Sequence, residues 1–269
     1  MLLVATAWIA YGQNAPPENK LEKIKDDLYV ITGDGGNSTI YLTDEGVILV
    51  DDKFERDAAD VLAKVKELTD KPIKFVFNTH AHTDHTGANP KLPSSAVIVA
   101  HSNTQSAMVQ KKVPGAPQMG FTDEMEINLG GKQVIAKYFG RGHTDGDIAV
   151  YFPASKVIAT GDMFNMPPSG VHIDYASGGK ILDWVHTLDG MLKWDFDTVI
   201  PGHQTIAKRA DLIKNKESVA AAIVRVRGMV REGTTKDAVA KVLVSEFGWN
   251  PTGQGIRNDI DGLMAELKP

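Results

Sequence analysis

The chain has 269 residues, of which 42% are hydrophobic and 23% charged, with a formal net charge of −5 and no cysteine. That composition predicts a globular protein with one main domain, and it excludes a disulfide framework, a thiolate nucleophile and a thiolate metal ligand. With no long basic run, nucleic acid is not an expected partner.

The first residues, "MLLVATAWIAYGQNAPPENK", open with an apolar run of nine and pass through small residues into a polar stretch containing prolines. The run suits the apolar core of an export signal and is too short for the ~20 residues of a membrane span. The positive residue usual near the start is missing, and a buried N-terminal strand is the alternative. Export is the expectation, with residues 1–19 as signal peptide and linker.

"LEKIKDDLYVITG" and "NSTIYLTDEGVILVDD" are β-branched runs broken by Gly and Asp, which predicts successive strands. "FERDAADVLAKVKELTD" has helical spacing and Pro72 follows it shortly, so a helix is expected. "KPIKFVFNT" reads as a strand, and "SSAVIVAHSNTQSAMVQKK" as a strand and then a helix capped by Ser102 or Asn103. Further on, "EMEINLGGKQVIAKYFGRGHT" predicts two strands around a Gly-Gly turn, "DIAVYFPASKVIATGD" two more, and "FDTVIPGH" a last one. Between them "GGKILDWVHTLDGMLKW" is amphipathic, with Ile181, Trp184, Val185, Leu188 and Leu192 on one side. From about residue 206 the pattern is helical, with a break at "EGTTKD" that offers Thr234 or Thr235 as a cap. Alternating strands and helices in two comparable halves predict a layered α/β or α+β architecture.

Chemistry gathers at the strand ends. In "FVFNTHAHTDHTGANP" three of the eight histidines and an aspartate, His80, His82, Asp84 and His85, occupy six positions after a strand. Imidazole nitrogen and carboxylate oxygen suit zinc, and four such residues on one turn exceed what a single open site takes from one segment. Two adjacent metals would use the surplus. Three more strand-ending residues complete such a set: His143 in "GRGHTDGD", Asp162 in "ATGDMF" and His203 in "VIPGHQ". Each follows a Gly, which permits a tight corner. His101, His172 and His186 stand outside this pattern and read as ordinary hydrogen-bonding residues. Two loops could cover the metals, residues 32–38 and residues 163–179. The second is long for a connection, and if it is such a cover, His172, Asp174 and Tyr175 face substrate.

The series "HAHTDH", "GHT", "GD" and "PGH", in this order and at these separations, resembles the metallo-β-lactamase superfamily over roughly residues 28–206. The resemblance implies an α+β fold, a four-layer αββα sandwich of two mixed sheets flanked by helices. It implies a catalytic domain over 20–206 and leaves 207–269 as a C-terminal helical extension packed on it. It further implies that His80, His82 and His143 hold one Zn²⁺, that Asp84, His85 and His203 hold the other, and that Asp162 bridges them. Asp84 is also the expected catalytic residue. Asp51, ending "GVILVDD", resembles the aspartate that orients the histidine turn from behind, though a plain turn aspartate reads equally well.

The implied reaction is attack of a metal-bound hydroxide on the carbonyl of a small ester, thioester, lactone or amide. One departure matters. The B1 and B2 lactamases have a cysteine ligand followed three residues on by a lysine, where this chain has Asp162 and Asn165; the B3 enzymes lack the bridging aspartate. Asp162 therefore favours the broader hydrolase branch that includes glyoxalase II thioesterases and lactonases, with β-lactam hydrolysis as the alternative. Some superfamily members hold iron and carry out redox chemistry, and an N/O ligand set excludes neither iron nor manganese. A small-molecule substrate is the expected partner.

Overall fold

The computed structural model describes residues 16–166 and 171–268. The expected export signal falls mainly on residues 1–15, which lie outside the described residues, as do residues 167–170 of the longer loop. Seven strands form the first sheet in chain order: β1 (Lys20–Lys25), β2 (Leu28–Thr32), β3 (Ser38–Leu42), β4 (Val47–Val50), β5 (Ile73–Phe77), β6 (Val97–His101) and β7 (Met119–Phe121). Pairing is antiparallel through β4 and parallel from β4 to β7. The second sheet has the order β13-β12-β11-β10-β9-β8 and comprises β8 (Glu124–Leu129), β9 (Lys132–Tyr138), β10 (Ile148–Phe152), β11 (Val157–Ala159), β12 (Thr198–Ile200) and β13 (Ala207–Lys208). Only β11 and β12 run parallel in it.

The helices are α1 (Ala58–Leu68), the single turn α2 (Thr83–Thr86), α3 (Ser102–Gln110), α4 (Ile181–Met191), α5 (Arg209–Arg231), α6 (Lys236–Phe247), α7 (Gln254–Arg257) and α8 (Ile260–Glu266). Strand alternation sorts the core into layers, because successive side chains point to opposite faces. In β4, Ile48 and Val50 join Phe77, Val99, Val150, Phe152 and Ile200 between the sheets. Val47 and Leu49 turn outward to Val61 and Val65 of α1. In the second sheet Ile158 and Val199 pack outward on Trp184 and Leu188 of α4, Val226 of α5 and Leu243 of α6. The result is the expected α+β sandwich of two mixed sheets with helices on both outer faces.

Two details differ from expectation or refine it. The cap of α3 is His101, whose side chain accepts from Asn103 N, and not Ser102 or Asn103. Ser102 Oγ donates instead to Phe121 O at 3.1 Å, and Asn103 Nδ2 to Asp145 O at 2.8 Å, so both side chains are committed elsewhere. Of the two threonines, Thr235 caps α6 by accepting from Ala238 N. The edge strands β7 and β13, three and two residues long, are too short to leave a periodic signature.

The topology delivers the polar stops to one edge. Parallel β4 and β5 end at Asp51 and at the histidine turn, and parallel β11 and β12 end at Asp162 and His203. His143 precedes β10, which runs antiparallel to β11, so it arrives at the same edge. There Ile148 N donates to Thr79 O at 2.9 Å and joins the two sheets. Phe77, the last residue of β5 and fully buried between the sheets, anchors the turn that follows. Phe77→Ala should lower the unfolding free energy by ~3–5 kcal/mol in urea denaturation. A loss below ~1 kcal/mol would show that the inter-sheet core does not depend on it.

Candidate metal centre

Asp51 and Lys53 lie at positive φ, 58° and 70°, a region costly for side chains with a Cβ. The compensation is visible. Asp51 is buried, and its Oδ1 accepts from Thr79 N at 2.7 Å while its Oδ2 accepts from Thr79 Oγ1 at 2.7 Å and from His85 Nδ1 at 2.8 Å. Lys53, also buried, donates its Nζ to the carbonyls of Asp34 at 2.7 Å and Gly36 at 2.9 Å, and burial pushes its pKa down to about 8. It thereby ties the loop 32–38 down against the histidine turn.

Each of the five clustered histidines has one ring nitrogen tied to an oxygen. Thr79 Oγ1 gives its proton to Asp51, so across the 3.0 Å contact it accepts from His80 Nδ1. His80 Nε2 is then a bare lone pair, and it is buried without a hydrogen-bond partner. His143 Nδ1 donates to His172 O at 2.8 Å, His203 Nδ1 to Gly35 O at 3.2 Å, and His82 Nε2 to Asp174 Oδ2 at 2.9 Å. The opposite nitrogens face one another, His143 Nε2 lying 2.9 Å from His82 Nδ1 and His85 Nε2 3.3 Å from His203 Nε2. Lone pairs turned together in a buried space require a cation or a proton between them.

The donor atoms fall into three groups that could hold a metal, each with all its atoms within 4.8 Å: His80, His82 and His143; His80, His85 and Asp162; Asp84, His85 and His203. Asp162 stands between the trios. Its Oδ2 is 3.7 Å from His143 Nε2, and its Oδ1 is 3.4 Å from His85 Nε2 and 3.3 Å from His203 Nε2. That Oδ1 is buried and makes no well-formed hydrogen bond. Close packing sets the approach: a Cβ on Gly202 would lie 1.9 Å from Asp162 Oδ1, so the residue before His203 has to be glycine.

The electrostatics agree with this donor set. Burial, reinforced by the neighbouring imidazoles, holds His80 well below the usual histidine range, and burial pushes His143 down to about 3. Burial also opposes charge on His85 and His203, yet carboxylates outweigh it: Asp162 and Asp51 raise His85 well above its usual value, and Asp162 and Asp84 raise His203 to about 9. Against burial, His203 and His85 hold Asp84 at about 2 and Asp162 well below the carboxylate range. The two carboxylates thus demand positive charge at the centre. Divalent cations meet that demand with every imidazole neutral, which is the form that ligates.

A cavity of about 390 Å³ opens on the cluster, lined by His82, Thr83, Asp84, Asp162, Asn165, His172, His203 and Gln254. His172 therefore lies at the site, while His101 caps α3 and stacks on Tyr138, and His186 is exposed on α4. Tyr175 donates its hydroxyl to Glu266 at 3.0 Å and lines a neighbouring cleft instead. The carbonyls of Gly35 and His172 and the side chains of Lys53, Gln254 and Asp259 were not legible in the sequence. The residue spacing that marks a ligand carries no information about a backbone acceptor.

The sequence profile of the Metallo-beta-lactamase superfamily matches residues 31–203. The protein named "Metallo-beta-lactamase type 2" from Elizabethkingia meningoseptica is 27% identical over 221 residues, 76% of this chain and 85% of that protein. The "2,4-dinitroanisole O-demethylase subunit alpha" of Nocardioides sp. (strain JS1661) is 26% identical over 200 residues, 71% of this chain and 60% of that protein. Among solved structures, that of DIM-1 metallo-beta-lactamase superposes with a TM-score of 0.68 at 22% identity, covering 77% of this chain and 100% of that one.

Asp51→Ala removes the acceptor for Thr79 and His85 together. Zinc affinity, measured by competition with a chromogenic chelator, should fall about 10–100-fold. An unchanged affinity would limit Asp51 to the turn.

Proposed function

Because the chain belongs to the metallo-β-lactamase superfamily, we propose that it is a dinuclear zinc hydrolase acting on a small ester, thioester, lactone or amide. The observation that carries this reading is the gathering of five oxygen-tethered histidines into two trios with Asp162 between them, its Oδ2 toward His143 and its Oδ1 toward His85 and His203. In it His80, His82 and His143 would hold one ion and Asp84, His85 and His203 the other, with Asp162 available to both. Bound there, zinc supplies a Lewis acid for a substrate oxygen and lowers the pKa of water toward ~7.

The chain's own groups do the rest. Asp84, held at about 2, is ionised at neutral pH, so it accepts a hydrogen bond from the attacking water and orients it. The outer hydrogen bonds of the histidines keep their rings from turning as charge develops, which is the preorganisation that a hydrolytic site needs. His172 and Asn165 line the cavity where substrate would lie, and Asn165 Oδ1 accepts from His203 N at 2.7 Å, which leaves its amide hydrogens to the cavity. The catalytic unit is residues 20–206, with 207–269 as an extension packed on it.

Hydrolysis of β-lactams is the second reading, supported by the relative named for that activity at 27% identity. The aspartate at position 162 in place of cysteine weighs toward the broader branch. Iron on the same ligands is the reading of another class, and metal analysis of protein purified without added metal separates it from zinc. The apolar start of the chain supports export. Among the described residues no helix is long and apolar enough to cross a membrane.

A panel of a chromogenic cephalosporin, a thioester, a lactone and a phosphodiester, run with and without chelator, tests the reaction. Turnover of at least one carbonyl substrate, abolished by chelator and restored by zinc, is expected. Turnover of the phosphodiester alone, or activity indifferent to chelator, would sink the reading. Asp162→Asn should leave about one zinc in place of two and lower kcat about 100-fold or more. His82→Ala with full metal content and activity would remove His82 from the ligand set.

A further inference from the structure

Residues 171–182 lie between the candidate metal centre and the C-terminal helices, and both sides grip them. On the site side, His172 O accepts from His143 Nδ1, Asp174 Oδ2 from His82 Nε2, and Asp174 N donates to His143 O at 2.9 Å. On the other side stand Gly255, Asp259, Gly262 and Glu266, whose spacing of four, three and four places them on one face across α7 and α8. A Cβ at Gly255 would lie 2.0 Å from Val171 O, and one at Gly262 2.3 Å from Tyr175 Cδ2, so the contact requires glycine at both. Buried Asp259 accepts with one oxygen from His172 Nδ1 at 2.7 Å and Ile173 N at 2.9 Å. Glu266 accepts from Tyr175 Oη, Ile181 N and Leu182 N, each at 3.0 Å, and so also holds the first turn of α4.

Gln254, the first residue of α7, reaches the 390 Å³ cavity beside His172. Its Oε1 accepts from Asn258 Nδ2, which commits that oxygen along the helix and leaves the amide N–H groups as its donors beside the cavity. With Asp259 occupying His172 Nδ1, the Nε2 edge of that ring is the one left for the same space.

We propose that this C-terminal ridge builds the substrate-selecting wall of the site: Gln254 donates a hydrogen bond to an acceptor oxygen remote from the reacting carbonyl, and Asp259 is the positioning residue for His172. The inference rests on the hydrolase reading above. The substrate class it selects is a carbonyl compound with a second acceptor group, such as a carboxylate or amide, over a bare ester. An amide N–H beside the cavity favours an oxygen in the ligand and disfavours a methyl there.

Two measurements test this. Kinetics on the zinc-loaded enzyme compare the chromogenic cephalosporin, which carries carboxylate and amide acceptors, with p-nitrophenyl acetate, whose only acceptor beyond the reacting ester is the weakly accepting nitro group of its leaving group. Gln254→Leu should raise KM for the cephalosporin about three- to tenfold with kcat within about twofold, and KM for p-nitrophenyl acetate by a smaller factor. Equal KM changes on the two substrates, or none, overturn the donor assignment. In nitrogen-15 spectra of histidine-labelled protein, His172 Nδ1 should be protonated, lose that single form in Asp259→Ala, and regain it in Asp259→Asn, whose amide oxygen can still accept. An unaltered His172 signal in Asp259→Ala overturns the positioning role. Absence of turnover of both substrates by the unsubstituted enzyme overturns the selection assigned to Gln254, and absence of turnover of the thioester and lactone as well rejects the hydrolase reading, whereas the spectra decide the Asp259–His172 contact independently of activity.

Discussion

The buried carboxylate of Asp51 holds the histidine turn in place, and the rest of the site is built outward from that contact. Its two oxygens take the backbone and hydroxyl of Thr79 and the outer nitrogen of His85. The Thr79 hydroxyl, its proton spent on Asp51, can only accept from His80, which leaves His80 Nε2 bare in the interior. One acid thus sets the protonation pattern of two histidines without touching the centre itself. A buried carboxylate is tolerable because both its oxygens accept hydrogen bonds, three in all, and the unfavourable φ of the residue is the local cost of aiming it.

The sandwich makes such an arrangement possible. A single turn contributes His80, His82, Asp84 and His85, yet no single turn can surround two ions, because side chains from one segment all approach from one side. Two sheets packed face to face bring a second set of strand ends opposite the first, and the parallel pairs β4/β5 and β11/β12 keep the ends of neighbouring strands level. Asp162 and His203 are therefore presented by a rigid frame whose interior residues, Phe77, Val99, Val150 and Ile200 among them, are close-packed. Loops anchored on such a frame can hold ligands at fixed separations with little cost in entropy at the moment of binding.

The helical C-terminal region belongs to the same design. Its helices α5, α6 and α8 cover the outer face of the second sheet. The ridge of α7 and α8 reaches past that core to the segment 171–182, whose backbone carbonyl orients His143 and whose Asp174 orients His82. Packing far from the centre is in this way connected to two of its imidazoles through a short chain of hydrogen bonds. The geometry also explains why Tyr175, within this segment, turns away: its hydroxyl donates to Glu266 of α8, which also accepts from Ile181 N at the start of α4.

The sequence by itself determined a layered architecture of strands and helices, α/β or α+β, nearly every strand, the helices α1 and α4, and the seven side chains that meet at the centre, and the family resemblance of its motifs implied the α+β sandwich. These were legible because periodicity, glycine corners and clustered His and Asp are local and residue-specific signals. It also pointed to Asp51 and His172, though it could not say which atoms they would engage. Tertiary structure alone decided the tautomers, since His203 and His143 are oriented by the carbonyls of Gly35 and His172, 168 and 29 residues away. It alone placed Gln254 and Asp259 beside residues that precede them by more than eighty positions. Every residue carries a carbonyl, so a backbone acceptor has no signature in the sequence. Which carbonyl meets which histidine is settled only when distant segments are packed together.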